Sequence, residues 1–69
     1  MVEIFKTDIQ SKQVALEILT SLQSAFPDYK MNFDLEDCDK ILRIESTAID
    51  IEAVQVVLDE MRVESLLID

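Results

Sequence analysis

Glycine and histidine are absent from this sequence of 69 residues, and cysteine occurs only once. Loops that hold nucleotide phosphates need glycine because the backbone must approach the ligand closely, so a glycine-rich phosphate site is excluded. Histidine is the commonest general base near neutral pH, and its absence argues against acid–base catalysis. Cys38 alone cannot form an intrachain disulfide, and the carboxylates of Asp37 and Asp39 beside it disfavour the reactive thiolate.

Long apolar runs are missing as well. No stretch approaches the roughly 20 residues that a membrane-spanning helix requires. Residues 1–8 lack the basic segment and apolar stretch of a secretory signal, so we expect a cytoplasmic protein. Hydrophobic residues still make up 49% of the chain, which is enough to predict one folded domain over residues 1–69.

Basic residues are few, with 6 against 15 acidic ones and a formal net charge of −9. Nucleic-acid binding depends on clustered Lys and Arg side chains that displace counterions from phosphates, so we expect neither nucleic acid nor an anionic membrane as a partner. The acidity is typical of a small soluble domain, and it also fits a basic protein partner. The sequence leaves both interpretations open.

The spacing of apolar residues predicts four strands and two helices. Residues 29–35 alternate between apolar and polar side chains, which indicates a strand with one face in water. The two helices show apolar side chains at helical spacing, and Ser11 and Asp50 are suited to cap their N-termini. The predicted order is strand 1–7, helix 11–26, strand 29–35, strand 41–45, helix 51–62 and strand 63–68.

This β-α-β-β-α-β order predicts an α+β, ferredoxin-like sandwich, in which both helices cover one face of a four-stranded antiparallel sheet. The right-handed crossover rule places the first and third strands in the centre and the second and fourth at the edges. The periodicities predict a core that consists of Val14, Ile18, Leu22, Phe26, Met31, Phe33, Leu35, Leu42, Ile44, Val54, Leu58 and Met61.

Two segments resemble a known family. Residues 5–15, FKTDIQSKQVA, resemble the first loop of heavy-metal-associated domains, the small copper-chaperone type, where many bacterial members read F-K-T-N-I-x-C-x-x-C-V. Residues 34–35 and 39–45, DL and DKILRIE, resemble the central hairpin of the same family. The resemblance spans essentially the whole chain and implies the same ferredoxin-like fold.

The resemblance does not extend to the metal site. Family members bind a soft ion such as Cu(I) or Zn(II) through two cysteine thiolates in the loop before the first helix. The matching positions here are Ser11 and Val14, which offer a neutral hydroxyl and no ligand. The family's usual glycine near the end of the second helix is also missing, and Met61 or Arg62 stands near its place. The resemblance therefore implies a degenerate member that lacks the CxxC motif and has lost metal binding.

Other sites for a metal or for catalysis have little support. Cys38 is expected in the turn after the second strand, at the end of the sheet opposite to Ser11, where the two cannot share one ion. An acidic cluster nearby has the oxygen ligands that Ca²⁺ and Mg²⁺ prefer, but its spacing departs from a calcium-binding loop and a solvated turn explains it. The sequence shows no base partner that could activate the Ser11 hydroxyl as a nucleophile, so we predict no catalytic residue, no cofactor and no resident metal. The acidic cluster consists of Asp34, Glu36, Asp37 and Asp39.

These patterns predict a non-catalytic binding or interaction module rather than an enzyme. Its expected partner is another protein or a second copy of the chain, bound at a sheet edge or on the open sheet face. For self-association, the favoured edge is residues 29–35. The alternative function is a weak metal-binding or metal-trafficking protein that uses Cys38 or carboxylates.

Overall fold

The computed structural model describes residues 1–36 and 40–68. Their six elements follow the predicted order. The second helix ends two residues earlier than predicted, and the last strand begins two residues later, because residues 61–64 form the turn between them. The elements are β1 Val2–Thr7, α1 Lys12–Ala25, β2 Lys30–Asp34, β3 Ile41–Glu45, α2 Ile51–Glu60 and β4 Ser65–Leu67.

The four strands form one sheet in the order β2-β3-β1-β4, and every pairing is antiparallel. β1 and β3 are therefore central, and β2 and β4 are the edges, as predicted. Buried residues of both helices join those of β1 and β3 in a single hydrophobic core. The predicted ferredoxin-like α+β fold is confirmed.

Side-chain caps begin both helices where the sequence predicts them. The Ser11 hydroxyl accepts hydrogen bonds from the backbone N–H groups of Gln13 at 3.1 Å and Val14 at 3.4 Å. The Asp50 carboxylate accepts one from the N–H of Ala53 at 3.1 Å. Each cap satisfies N–H groups that have no partner inside the first helical turn.

Most of the predicted core is correct, but Val14 is wrong. Val14 is 42% exposed, whereas Ala15 is buried. The buried stripe of α1 runs through Ala15, Ile18 and Leu22, so the helix shares Ile18 and Leu22 with the predicted stripe but turns Ala15 instead of Val14 toward the sheet. Six predicted residues are at most 1% exposed, and five more are half-buried. The six are Ile18, Leu22, Leu42, Ile44, Val54 and Leu58; the five are Phe26, Met31, Phe33, Leu35 and Met61.

Three further core residues lie within β1 and in the connections between elements. Phe5 is fully buried and pairs with Leu42, while its neighbour Ile4 lies on the other face of the sheet. Ile9 and Val63 lie in connections, yet they are 3% and 5% exposed. Periodicity does not extend to the connections that hold Ile9 and Val63, and adjacent apolar Ile4 and Phe5 leave the core face of β1 ambiguous, which is why the predicted core omits all three buried residues.

At the end of α2, an arginine stands near the place where the family resemblance leads us to expect a glycine. Arg62 has a left-handed φ of 62°. Its N–H donates to the carbonyl of Asp59 at 3.0 Å, and the N–H of Val63 donates to the carbonyl of Leu58 at 2.9 Å. These two bonds form a Schellman motif, in which the left-handed position usually holds glycine.

Candidate functional site

The two positions that match the family's metal ligands lie together at the start of α1. Ser11 and Val14 are both exposed, and the Ser11 hydroxyl is already used to cap the helix. Among residues 1–36 and 40–68, no three His, Cys, Asp or Glu side chains are grouped so that they could hold a metal ion. The described side chains around Ser11 therefore offer a helix cap and not a ligand set.

Thr7 ties the loop before α1 to the start of β3. Its N–H and its hydroxyl both donate to the carbonyl of Lys40, at 3.2 and 2.6 Å. The same hydroxyl accepts from the N–H of Ile9 at 3.4 Å. Lys40 has a left-handed φ of 51°, and its ammonium donates to the carbonyl of Leu35 at 3.2 Å. We call the end of the sheet where Thr7 meets Lys40 the upper end.

The turn that contains Arg62 lies at the same end. The N–H of Glu64, at the end of that turn, donates to the carboxylate of Asp8 at 3.1 Å.

This arrangement contradicts the prediction that the β2–β3 connection lies opposite to the loop that holds Ser11. Both β1 and β2 are antiparallel to β3, so they run parallel to each other. α1 returns the chain to the starting end between them, and their C-terminal ends therefore lie at the same end of the sheet. Cys38 itself lies outside the described residues.

The predicted acidic cluster is described only in part. Asp34 accepts a hydrogen bond from the N–H of Glu36 at 3.2 Å, which is a local turn contact. Asp37 and Asp39 lie outside the described residues. The hydrogen bond between Asp34 and Glu36 closes a local turn and does not bring several metal ligands together.

A groove of about 580 Å³ separates the first half of α1 from the edge strand β2. Apolar side chains from both elements form its walls, and Leu16 among them is 65% exposed. The predicted core omits Leu16 and the sequence assigns it no role, because the groove exists only when β2 lies beside α1. The apolar lining is Ala15, Leu16, Leu19, Phe33 and Leu35, and the polar lining is Lys12, Asn32, Asp34 and Glu36.

The free edge of β2 borders this groove. The backbones of Thr7 and Lys40 are hydrogen-bonded to each other, and hydrogen-bonded positions alternate along an antiparallel pair. Every second residue of β3, counted from Lys40, therefore bonds to β1, and the residues between them bond to β2. Ile41, Arg43 and Glu45 thus bond to Asp34, Asn32 and Lys30. The N–H and C=O groups of Met31 and Phe33 consequently point away from the sheet, at its open edge.

The open face of the sheet carries half of the basic residues. Register places Lys30, Asn32 and Asp34 of β2 beside Glu45, Arg43 and Ile41 of β3 on this face. β1 adds Val2, Ile4 and Lys6, and β4 adds Leu66. Three of the chain's 6 bases therefore share this face with two described acids, although the whole chain is strongly acidic.

Comparison with known proteins does not extend this description. No protein-family model, curated protein or solved structure matches the chain. The relation to heavy-metal-associated domains therefore stays a prediction that rests on the segments quoted above. No helix in the described part of the chain has the length and apolar character needed to cross a lipid bilayer.

Proposed function

We propose that this chain is a non-catalytic interaction module that binds an extended protein segment along the free edge of β2. The observation that carries the proposal is the meeting of two features at one place. The outward backbone groups of Met31 and Phe33 border an apolar groove that is lined by Leu16.

Backbone pairing supplies the affinity in this mode. An extended segment laid beside β2 bonds to the outward N–H and C=O groups, as in strand addition to other sheets. Side chains alternate along a strand, so every second side chain of the segment faces the groove beside α1. Apolar side chains at those positions are stabilised by contact with Leu16 and Leu19, and they set the specificity.

The heavy-metal-associated scaffold, in this proposal, has kept its fold and lost its metal. Ser11 and Val14 at the ligand positions support this, as does the use of the Ser11 hydroxyl as a helix cap. An enzyme has less support, because the chain contains no histidine, which is the commonest general base near neutral pH.

Selection from a display library of random ten-residue peptides tests the binding mode. Peptides enriched on the wild type should lose at least ten-fold in affinity for Leu16→Glu. Val56→Glu is the matched control, because Val56 on α2 is 54% exposed and the charge change is the same. Its affinity should stay within two-fold of wild type.

Amide hydrogen exchange tests where the peptide binds. In the peptide-bound protein, exchange should slow at Met31 and Phe33 but not at Leu67 on the other edge. Enrichment that is equal on wild type and Leu16→Glu would refute the proposal.

Weak metal binding through Cys38 or carboxylates is the second candidate. The observation in its favour is that Glu36 and Lys40, which flank residues 37–39, lie at the same end of the sheet as Ser11. Titration with Cu(I) against a chelating competitor separates the two functions. We expect no retained Cu(I) for the wild type and one equivalent for the Ser11→Cys/Val14→Cys variant. Retention by the wild type that disappears in Cys38→Ser would favour the metal function instead.

A further inference from the structure

We infer that the segment bound at the β2 edge is the β2 strand of a second copy, paired antiparallel about a two-fold axis at Asn32. This inference rests on the proposed function, since it names the partner for the same edge. The axis at Asn32 follows from the backbone. Met31 and Phe33 direct their N–H and C=O groups outward, and they lie symmetrically on either side of Asn32.

The register of such a dimer is set by these groups. Met31 of one copy pairs with Phe33 of the other, and the symmetry repeats the pair, which gives four backbone hydrogen bonds. Asn32 then faces its own counterpart as a non-hydrogen-bonded pair. The two sheets join into one continuous sheet with β2 no longer at an edge.

The charges of β2 are complementary to themselves in this register. Lys30 of one copy lies opposite Asp34 of the other, on the open face of the joined sheet, and the pair occurs twice. Opposite charges across an antiparallel pair are favourable, and like charges are unfavourable. The other edge strand, Ser65–Leu67, has three residues and no charged side chain, so it offers no such charge complementarity.

The groove supports the same partner. The two-fold axis is perpendicular to the joined sheet, so the helices of both copies lie on the same face and the second copy's α1 lies on the groove side of β2. We expect this arrangement to reduce the exposure of Leu16. The net charge of −9 on each copy opposes the approach, and we expect association to strengthen when salt screens this repulsion.

Sedimentation at up to millimolar concentration tests the inference. The wild type and the charge variants are compared in 0.15 M NaCl, because 1 M NaCl would screen the exposed Lys30–Asp34 pair as well as the overall repulsion. The wild type should form dimers. Lys30→Asp sets carboxylates opposite each other twice and should weaken dimerisation at least ten-fold. Lys30→Asp combined with Asp34→Lys restores opposite charges and should restore the dimer. Lys6→Asp is the control, because it makes the same charge change on the open face away from β2 and should stay within three-fold of wild type.

A cysteine pair tests the register directly. The Cα atoms of a non-hydrogen-bonded pair lie about 4.5 Å apart, within the range that a disulfide spans. In a Cys38→Ser background, Asn32→Cys should therefore form a covalent dimer rapidly on oxidation with diamide. Arg43→Cys, on the next strand, should not.

A protein that stays monomeric under all these conditions, or a dimer whose stability does not change in Lys30→Asp, overturns the inference. Library peptides that still bind a monomeric wild type would leave the proposed function standing, because that assay depends on Leu16 and not on the charge pair.

Discussion

The two ends of the sheet are held together by different means. At the upper end, Thr7 bonds to the carbonyl of Lys40, and the chain adopts left-handed φ at Lys40 and Arg62, the two such residues in the described ranges. At the lower end, where α1 finishes and α2 begins, large side chains form the links. The difference shows where a glycine-free chain is under backbone strain, since non-glycine residues are disfavoured in the left-handed region.

The lower end depends on Gln23 and Tyr29. The Gln23 amide donates to the carbonyl of Tyr29 at 2.8 Å and to two others nearby. The rings of Phe26 and Tyr29 stack with centroids 4.9 Å apart. The Tyr29 hydroxyl accepts from the N–H of Asp50 at 2.9 Å, which ties β2 to the start of α2. These links extend across the sandwich without requiring an unfavourable backbone conformation.

The largest expected effect comes from truncating side chains of the core that both ends share. Leu22 and Leu58 are fully buried, one in each helix. Truncating either to Ala should lower the free energy of unfolding by about 2–5 kcal/mol through lost burial and a residual cavity. Leu16→Ala, at an exposed position, should cost far less. Urea denaturation measures all three, and losses below 1 kcal/mol for both buried sites would contradict the assigned helix faces.

Breaking the upper end should have the next largest effect. Thr7→Val removes a nearly buried hydroxyl that donates to Lys40 and accepts from Ile9, and it should cost about 1–2 kcal/mol in the free energy of unfolding. The matched control is Thr20→Val. The Thr20 hydroxyl is exposed and bonds only to the carbonyl of Leu16 in its own helix, so its loss should cost under about 0.5 kcal/mol. Equal losses in the two variants would show that Thr7 does not hold this end together.

Breaking the lower end should cost somewhat less. Tyr29→Phe keeps the stacked ring and removes the hydroxyl that accepts from Asp50, so we expect a loss of about 0.5–1.5 kcal/mol. Tyr29→Leu removes the ring stack too and should cost more. Thermal denaturation of both variants separates the hydroxyl from the ring. A Tyr29→Phe variant as stable as wild type would mean that water replaces the hydroxyl at this N–H.

The smallest effect has the opposite sign. Arg62→Gly relieves the left-handed strain at the end of α2, and the gain is partly offset by the greater freedom of the unfolded chain, so we expect about 0.5–1 kcal/mol of added stability. Lys40→Gly should gain less, because it also removes the bond from the Lys40 ammonium to the Leu35 carbonyl. Urea midpoints measure both, and a destabilised Arg62→Gly would show that the arginine side chain has a stabilising contact.

Features that depend on near neighbours in the chain were predictable from sequence. β3 has the predicted bounds, and Ser11 and Asp50 cap the helices, because a cap involves groups two or three residues apart. The alternation of residues 29–35 likewise predicted which side chains of β2 face the core. Val14 was misplaced because two helical stripes, through residue 14 or residue 15, fit the apolar spacing almost equally well. The sheet selects between them.

The strand order follows from the sequence because few chiral connections are possible for this order of elements. The position of Ser11 relative to the β2–β3 connection also followed from that order, but it became evident only once the pairings of β1 and β2 with β3 were known. Tertiary structure alone decided that Leu16 borders a groove and that Met31 and Phe33 present their backbone groups to solvent. Both facts depend on which strand lies next to β2 and on its register, and such pairing joins residues far apart in the chain, about which local spacing carries no information.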